Sequence, residues 1–328
     1  MNRHPWMRGA LGLAMAISLA FTGLTATAQT YPNKPITMVV PFPPGGVADT
    51  VGRPVAEAMS RHLKQSIVVE NKGGAGGGIG MAQVAKSKGD GYTVLMSLSS
   101  LVVLPEADKI LQRPPMFQVN QLKAIARFTA DPTVLVVRSE SPWKTYAEFM
   151  AYAKSNPGKI SFGSSGNYGT MHVPMEQLKA ATATFMLHVP YTGAGPAVLS
   201  LLSGQIEALS TGPASVKQHI ASGRLRALAH WGEGRLASMP EVPSFKELGV
   251  PIQYSQWSGL FVPADTPATV VDSLRQAAKF AAQDARAVGA LAAAGTSFMY
   301  QDAPEFERFV QADAKEMGAL VTRIGKVD

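Results

Sequence analysis

Short β-branched runs and helical apolar stripes alternate along this chain from residue 36 onward. Residues 36–40 form a strand-type run, and Val47, Val51, Val55, Met59 and Leu63 recur behind it at helical spacing. Residues 67–69 are followed in the same way by Ile79, Ala82 and Val84. Further strand-type runs at residues 93–96, 123–126, 134–137, 160–163 and 225–229 alternate with helical stretches near 145–154, 171–181, 197–203 and 215–221. This order predicts an α/β protein of mostly parallel sheets flanked by helices. The tail reads as helical: Thr266 as an N-cap with Pro267 at the first helical position, alanine-rich turns to about Ala293, and a last helix over 304–324 with one packed and one charged face.

Between each of the first two strands and its helix stands a turn rich in glycine: Pro41-Phe42-Pro43-Pro44-Gly45-Gly46, then Gly73-Gly74-Ala75-Gly76-Gly77-Gly78. Glycine lets backbone approach a ligand closely, and the unpaired N–H groups and positive dipole end of a helix N-terminus suit an anion. The second half repeats the device, with Ser164-Ser165-Gly166-Asn167-Tyr168-Gly169-Thr170 before one helix and Tyr191-Thr192-Gly193-Ala194-Gly195 before another. Four such N-termini around one cleft, with Ser, Thr and Tyr hydroxyls, would hold carboxylate oxygens without an arginine. Asp49 stands in the first turn of its helix, where it either caps or holds site water.

Arg3 and Arg8 precede an apolar run from Gly9 to Leu24, and Ala26-Thr27-Ala28 has the form of a signal-peptidase site, so residues 1–28 are expected to be a signal peptide, cleaved before Gln29. The run is shorter than the roughly 20 residues of a membrane-spanning helix. The chain has no cysteine, which removes disulfides, thiolate metal sites and cysteine nucleophiles. Without Arg3 and Arg8 the charge excess falls from +7 to +5 and is scattered, so nucleic acid is not an expected partner, while a soft positive field assists capture of an anion.

Other chemistry is sought without success. The glycine run at 74–80 fails G-x-G-x-x-G, and residues 42–46 lack the Gly-Lys-Ser/Thr of a phosphate loop. Ser141-Pro142-Trp143-Lys144 has no partner motifs, and Gly163-Ser164-Ser165-Gly166-Asn167 lacks the second glycine of a nucleophile elbow. His62, His172, His188, His219 and His230 show no ligand spacing, so neither metal nor cofactor is expected.

The two glycine turns, with Asp90-Gly91-Tyr92-Thr93, Asn156-Pro157-Gly158-Lys159, His188-Val189-Pro190-Tyr191, Gly223-Arg224-Leu225-Arg226 and Pro240-Glu241-Val242-Pro243-Ser244 in this order, resemble the Bug family, also called TctC. These are extracytoplasmic solute-binding proteins of tripartite tricarboxylate transporters. The resemblance covers nearly all of residues 31–328. It implies a two-lobed periplasmic binding protein (type II-like) that closes by a hinge on a small organic carboxylate, delivers it to membrane permease subunits and is not an enzyme. The first lobe would comprise residues 29–130 and 253–328, the second 131–252. Carried onto this chain, the family's site points to Phe42, Pro44, Gly45, Gly46, Asp49, Ala75, Gly76, Gly77, Ser97 and Ser99 in the first lobe. In the second it points to Ser165, Asn167, Tyr168, Thr170, His172, Tyr191, Gly193 and Thr211.

Two stretches depart from the family pattern. Thr211-Gly212-Pro213-Ala214-Ser215 lacks the usual Asp or Asn, and Phe117-Gln118-Val119-Asn120 the usual aspartate. With Tyr168, Tyr191 and Trp257 nearby, this favours a ligand whose far end is uncharged or aromatic, although a dicarboxylate stays open. Two other readings also stay open: presentation of the ligand to a sensor kinase, and a secreted hydrolase using a serine within residues 163–169.

Overall fold

The computed structural model describes residues 31–327, so the expected leader and its cleavage point near Ala28 lie outside the described residues. From Lys34 the chain forms one compact unit built on two sheets. In the first, β1 (Ile36–Val40) pairs in parallel with β2 (Ile67–Asn71) and β3 (Thr93–Leu98). The sheet continues through β10 (Ser255–Pro263), β4 (Leu122–Pro132) and the short β11 (Gln301–Asp302). The second sheet runs β7 (Leu187–Pro190), β6 (Ser161–Ser164), β8 (Ala208–Thr211), β5 (Val134–Arg138), β9 (Leu225–His230).

Both sheets are mixed, where the alternation of strands and helices predicts mostly parallel pairing. β10 is antiparallel to β3 and β4, and β5 is antiparallel to β8 and β9. The cause is the chain path. Parallel strands such as β1 and β3, or β6 and β8, end at the cleft. A strand arriving from the other lobe starts there and so runs the opposite way. β5 arrives directly from β4 through Thr133, and β10 arrives after the return segment 231–254.

The helices follow their apolar stripes. α1 (Val47–Leu63) buries Val47, Val51, Val55 and Met59. α2 (Gly78–Ala85) departs from expectation, because Ile79 is about half exposed and its Cδ1 lies against Gly74 outside the core. α3 (Ser100–Ile110) has no counterpart in the sequence reading. α4 (Tyr146–Ser155) starts on a capping box in which Thr145 Oγ1 accepts from Glu148 N and the Glu148 carboxylate accepts from Thr145 N.

α5 (Val173–Thr182), α6 (Ala194–Leu202) and α7 (Lys217–Ala221) surround the second sheet. The expected alanine-rich helix is two, α8 (Ala268–Gln283) and α9 (Ala285–Ala294). Asp284 breaks it by accepting from the N–H groups of Arg286 and Ala287. Pro267, not Thr266, holds the N-cap of α8, and the Thr266 hydroxyl donates to Pro263 O instead. α10 (Ala303–Ile324) packs along α3 and β4. Among the described residues no helix is long and apolar enough to cross a membrane.

Candidate functional site

The glycine turns of the two lobes touch each other. A Cβ on Gly46 would lie 3.4 Å from Ala194 Cβ, one on Gly195 2.5 Å from Pro44 O, and one on Gly166 2.9 Å from Gly76 N, while one on Gly193 would overlap Pro43 Cδ. Gly76 likewise packs on Asn167 O and Gly169. Closed contact between the lobes therefore depends on these missing side chains. The close approach expected between backbone and ligand is, at these positions, an approach of one lobe to the other. Gly166 also has φ +110, a conformation that a Cβ disfavours.

Behind this contact lies a narrow cavity of about 10 Å³, room for about one water molecule. Phe42, Gly46, Val47 and Leu98 line it from one lobe and Ser165, Thr170, Met171, Ala194 and Thr211 from the other, with Gln256 from β10. No lining side chain is charged. Gly46 is the N-cap of α1 and Gly193 that of α6, and neither supplies a side-chain cap. Two helix N-termini without side-chain caps thus meet at the lobe contact, and both border the cavity. Ser165 is 2% exposed and its Oγ has no hydrogen-bond partner. Thr211 Oγ1 pairs with Ser215 Oγ at 2.8 Å.

The first-lobe turn is held by charge. Asp49, 6% exposed, accepts from Gly45 N (3.1 Å) and Asn71 Nδ2 (2.9 Å) and pairs with Arg53 (2.8 Å). Asn71 Nδ2 also donates to Phe42 O. Burial alone would raise the Asp49 pKa, but the bonds from Arg53, Asn71 and Gly45 outweigh it and hold the carboxyl below its ordinary value. Both Asp49 oxygens are spent on this brace, and the residue is not among those lining the cavity.

The second-lobe loop is held by two imidazoles, one of which, His172, also lies 3.2 Å from the Glu176 carboxylate. Ser164 Oγ lies 2.5 Å from His188 Nε2 and accepts from Gly166 N, and Tyr168 N donates to His172 Nδ1 (2.9 Å). The His172 and His188 rings stack at 4.0 Å. Burial, then the neighbouring His172, pushes His188 down to about 3, so it is neutral. The serine paired with a histidine is therefore the fully buried Ser164, while Ser165 faces the cavity with no base beside it.

Other residues singled out by sequence lie elsewhere. Ala75, Asn167 and Tyr191 border an open groove at the cleft mouth, beside Arg113. Pro44 and Gly45 line a separate face with Gly195 and Leu199. Gly77, at φ +100, packs on Phe42. Ser97 Oγ donates to Leu98 O, and Ser99 Oγ lies 3.4 Å from Tyr254 Oη.

His172 faces a groove beside α10. Tyr168 Oη bonds to Gly325 and Val327, and Trp257 Nε1 donates to Asp313 in an aromatic cluster. The expected gathering of Tyr168, Tyr191 and Trp257 is therefore absent, and Phe42 is the one aromatic in the lining. Val47, Leu98, Met171, Ala194 and Gln256 were not foreseen. Leu98 and Ala194 adjoin foreseen residues, but Gln256 sits on a strand that carried no sequence signal. Among the described residues no cluster of three or more His, Asp or Glu could hold a metal.

Two α/β lobes joined by two crossings, with a narrow cavity where they meet, define a solute-binding receptor of the periplasmic binding protein fold. The chain belongs to the tripartite tricarboxylate transporter receptor family, TctC, whose model matches residues 51–326. It is 32% identical to BugT of Bordetella pertussis, over 95% of this chain and 96% of that one. A solved periplasmic transporter is 35% identical with a TM-score of 0.86, covering 91% of this chain and 100% of its own. MatC from Rhodopseudomonas palustris with bound malate is 26% identical (TM-score 0.81, 89% and 100% covered). A second Rhodopseudomonas palustris protein with adipate is 25% identical (TM-score 0.84, 90% and 98% covered). Members of this family are periplasmic solute-binding receptors and not enzymes.

Proposed function

We propose that this protein captures a small aliphatic dicarboxylate between its lobes and delivers it to a membrane permease. The observation that carries the reading is the uncharged lining of the cleft where the N-termini of α1 and α6, neither with a side-chain cap, meet; a ligand enters between them as the lobes part. A carboxylate there gains charge-assisted bonds of roughly 1.5–3 kcal/mol each and both dipole ends, without the desolvation of a buried arginine. Ser165, Thr170, Thr211 and Gln256 add neutral donors that orient the ligand. Malate and adipate in family members of known structure support a dicarboxylate. With no aromatic cluster around the cavity, the aliphatic class is favoured over the aromatic one.

The test is thermal denaturation of the mature protein against mono-, di- and tricarboxylates, aromatic acids, amino acids, sugars and nucleotides. A ligand at 100 times its Kd adds about 2.7 kcal/mol, a shift of several degrees in a protein of this size. A shift confined to dicarboxylates is the expected result. A shift with sugars or nucleotides only, or none across the panel, would sink the reading.

A further inference from the structure

Two stretches of backbone join the lobes, Thr133 and segment 231–254, and a third link is not covalent. α10 lies along α3 and β4 of the first lobe, yet its end reaches the second. Gly325 turns the chain at φ 71, and the residues after it lie against the second lobe, where Ile324, Lys326 and Val327 wall a groove with His172, Phe185 and His188. The tie is Tyr168, which is 1% exposed. Its hydroxyl donates to Gly325 O (2.8 Å) and accepts from Val327 N (3.0 Å). Tyr168 has φ 56, uncommon for a residue with a side chain, and this turns the ring away from the cavity that Ser165 and Thr170 line on either side of it.

We infer that residues 325–327 form a third, noncovalent connection between the lobes, and that Tyr168 acts through it as a positioning residue that holds the 165–170 loop in place and the cleft closed. The loop that completes the cavity is thereby fastened to a segment carried by the opposite lobe. Opening must break both bonds of the hydroxyl or drag residues 325–327 off α10. The phenol and the backbone groups it meets are complementary in number: one donor and one acceptor on each side, none left over. The consequence for ligand exchange rests on the carboxylate reading; the connection itself does not.

Since the chain lacks cysteine, spin labels placed through Lys88→Cys in the first lobe and Lys154→Cys in the second report the lobe separation directly. Both positions are exposed. With no carboxylate added, Tyr168→Phe is expected to raise the open fraction about tenfold, the size of two lost hydrogen bonds. Val327→Pro, which removes the N–H donor and leaves the phenol intact, is expected to raise it in the same direction, and it decides the matter alone should Tyr168→Phe not fold. An unchanged distance distribution, even with a lower Tm, would overturn the connection.

With adipate or malate as probe, the Tyr168→Phe variant should release it about tenfold faster at an unchanged association rate. Equal release rates would also overturn the inference. If the unaltered protein bound neither probe, the dicarboxylate reading would be damaged, while the distance measurement would still decide the connection.

Discussion

The two loops that meet over the cavity are supported in opposite ways. The first-lobe turn, Pro41 to Gly46, is locked from within its own lobe by a buried carboxylate and its three partners, Gly45, Arg53 and Asn71. The second-lobe loop, Ser164 to Thr170, leans on the imidazoles of His172 and His188 and, through Tyr168, on a segment that belongs with the other lobe. One loop keeps its shape wherever the lobes stand. The other has its full set of bonds only when they are together. Under the proposed function, the first turn is a preset seat for the carboxylate and the second a cover whose stability is linked to closure.

The sharpest way to break this comparison is to wedge it. Gly193 sits in extended backbone that any residue adopts, so Gly193→Val adds bulk only against Pro43 of the other lobe. Affinity for a dicarboxylate should fall at least about a hundredfold, more than about 2.7 kcal/mol. Calorimetry gives the binding and thermal denaturation the stability, which should scarcely change.

Asp49→Ala tests the charged brace. Leaving Gly45 N and one of the two N–H groups of Asn71 Nδ2 without an acceptor should cost about 2–3 kcal/mol in denaturant unfolding. The depressed pKa means that this contribution is present above the ordinary carboxylate range and is lost as pH falls through the folded value.

The neutral support predicts a different pH window. The folded pKa of His188, about 3, lies below its unfolded value near 6.5, so the unfolded chain binds the extra proton in between and stability falls as pH drops below about 6.5. By pH 5 the loss is about 2 kcal/mol. Asp131 and Asp313, pushed up to about 6 by burial, act with the opposite sign. The measurement is therefore the stability difference between the unaltered protein and His188→Gln at pH 8 and pH 5; a difference that does not change with pH would count against a neutral His188.

The smallest effect belongs to Ser165→Ala. Removing a buried hydroxyl that has no partner should leave stability unchanged or slightly higher, while dicarboxylate affinity drops about fivefold, near 1 kcal/mol. Equal affinity in the two proteins would take Ser165 out of the binding site.

Much of the fold was legible because strand and helix periods are local. Residues 36–40 and 134–137 read as strands from their β-branched runs, and 145–154 as a helix from its apolar spacing. β10 was not legible: Ser255, Gln256, Ser258 and Gly259 break the pattern, because the strand is buried on both faces and stabilised by neighbours distant in sequence. The mixed pairing was hidden for a related reason, since it follows from the chain crossing between lobes and not from any one segment.

At the site, glycine and serine positions such as Gly46, Ser165 and Thr170 were legible as helix-start loops. The directions of side chains were not. Tyr168 stands in the same loop as Ser165, and only its left-handed backbone, which no residue type advertises, turns its hydroxyl toward Gly325.

The facing ends of α1 and α6 have one more consequence. They are like poles, close enough that a Cβ on Gly46 would lie 3.9 Å from Ala194 N, and like poles repel unless a negative charge lies between them. A bound anion is then a counter-ion that relieves this repulsion in the shut form and adds to the hold of the Tyr168 tie. The helix ends and the tie thus act in opposite directions while the cleft is empty and in the same direction once an anion lies between the lobes.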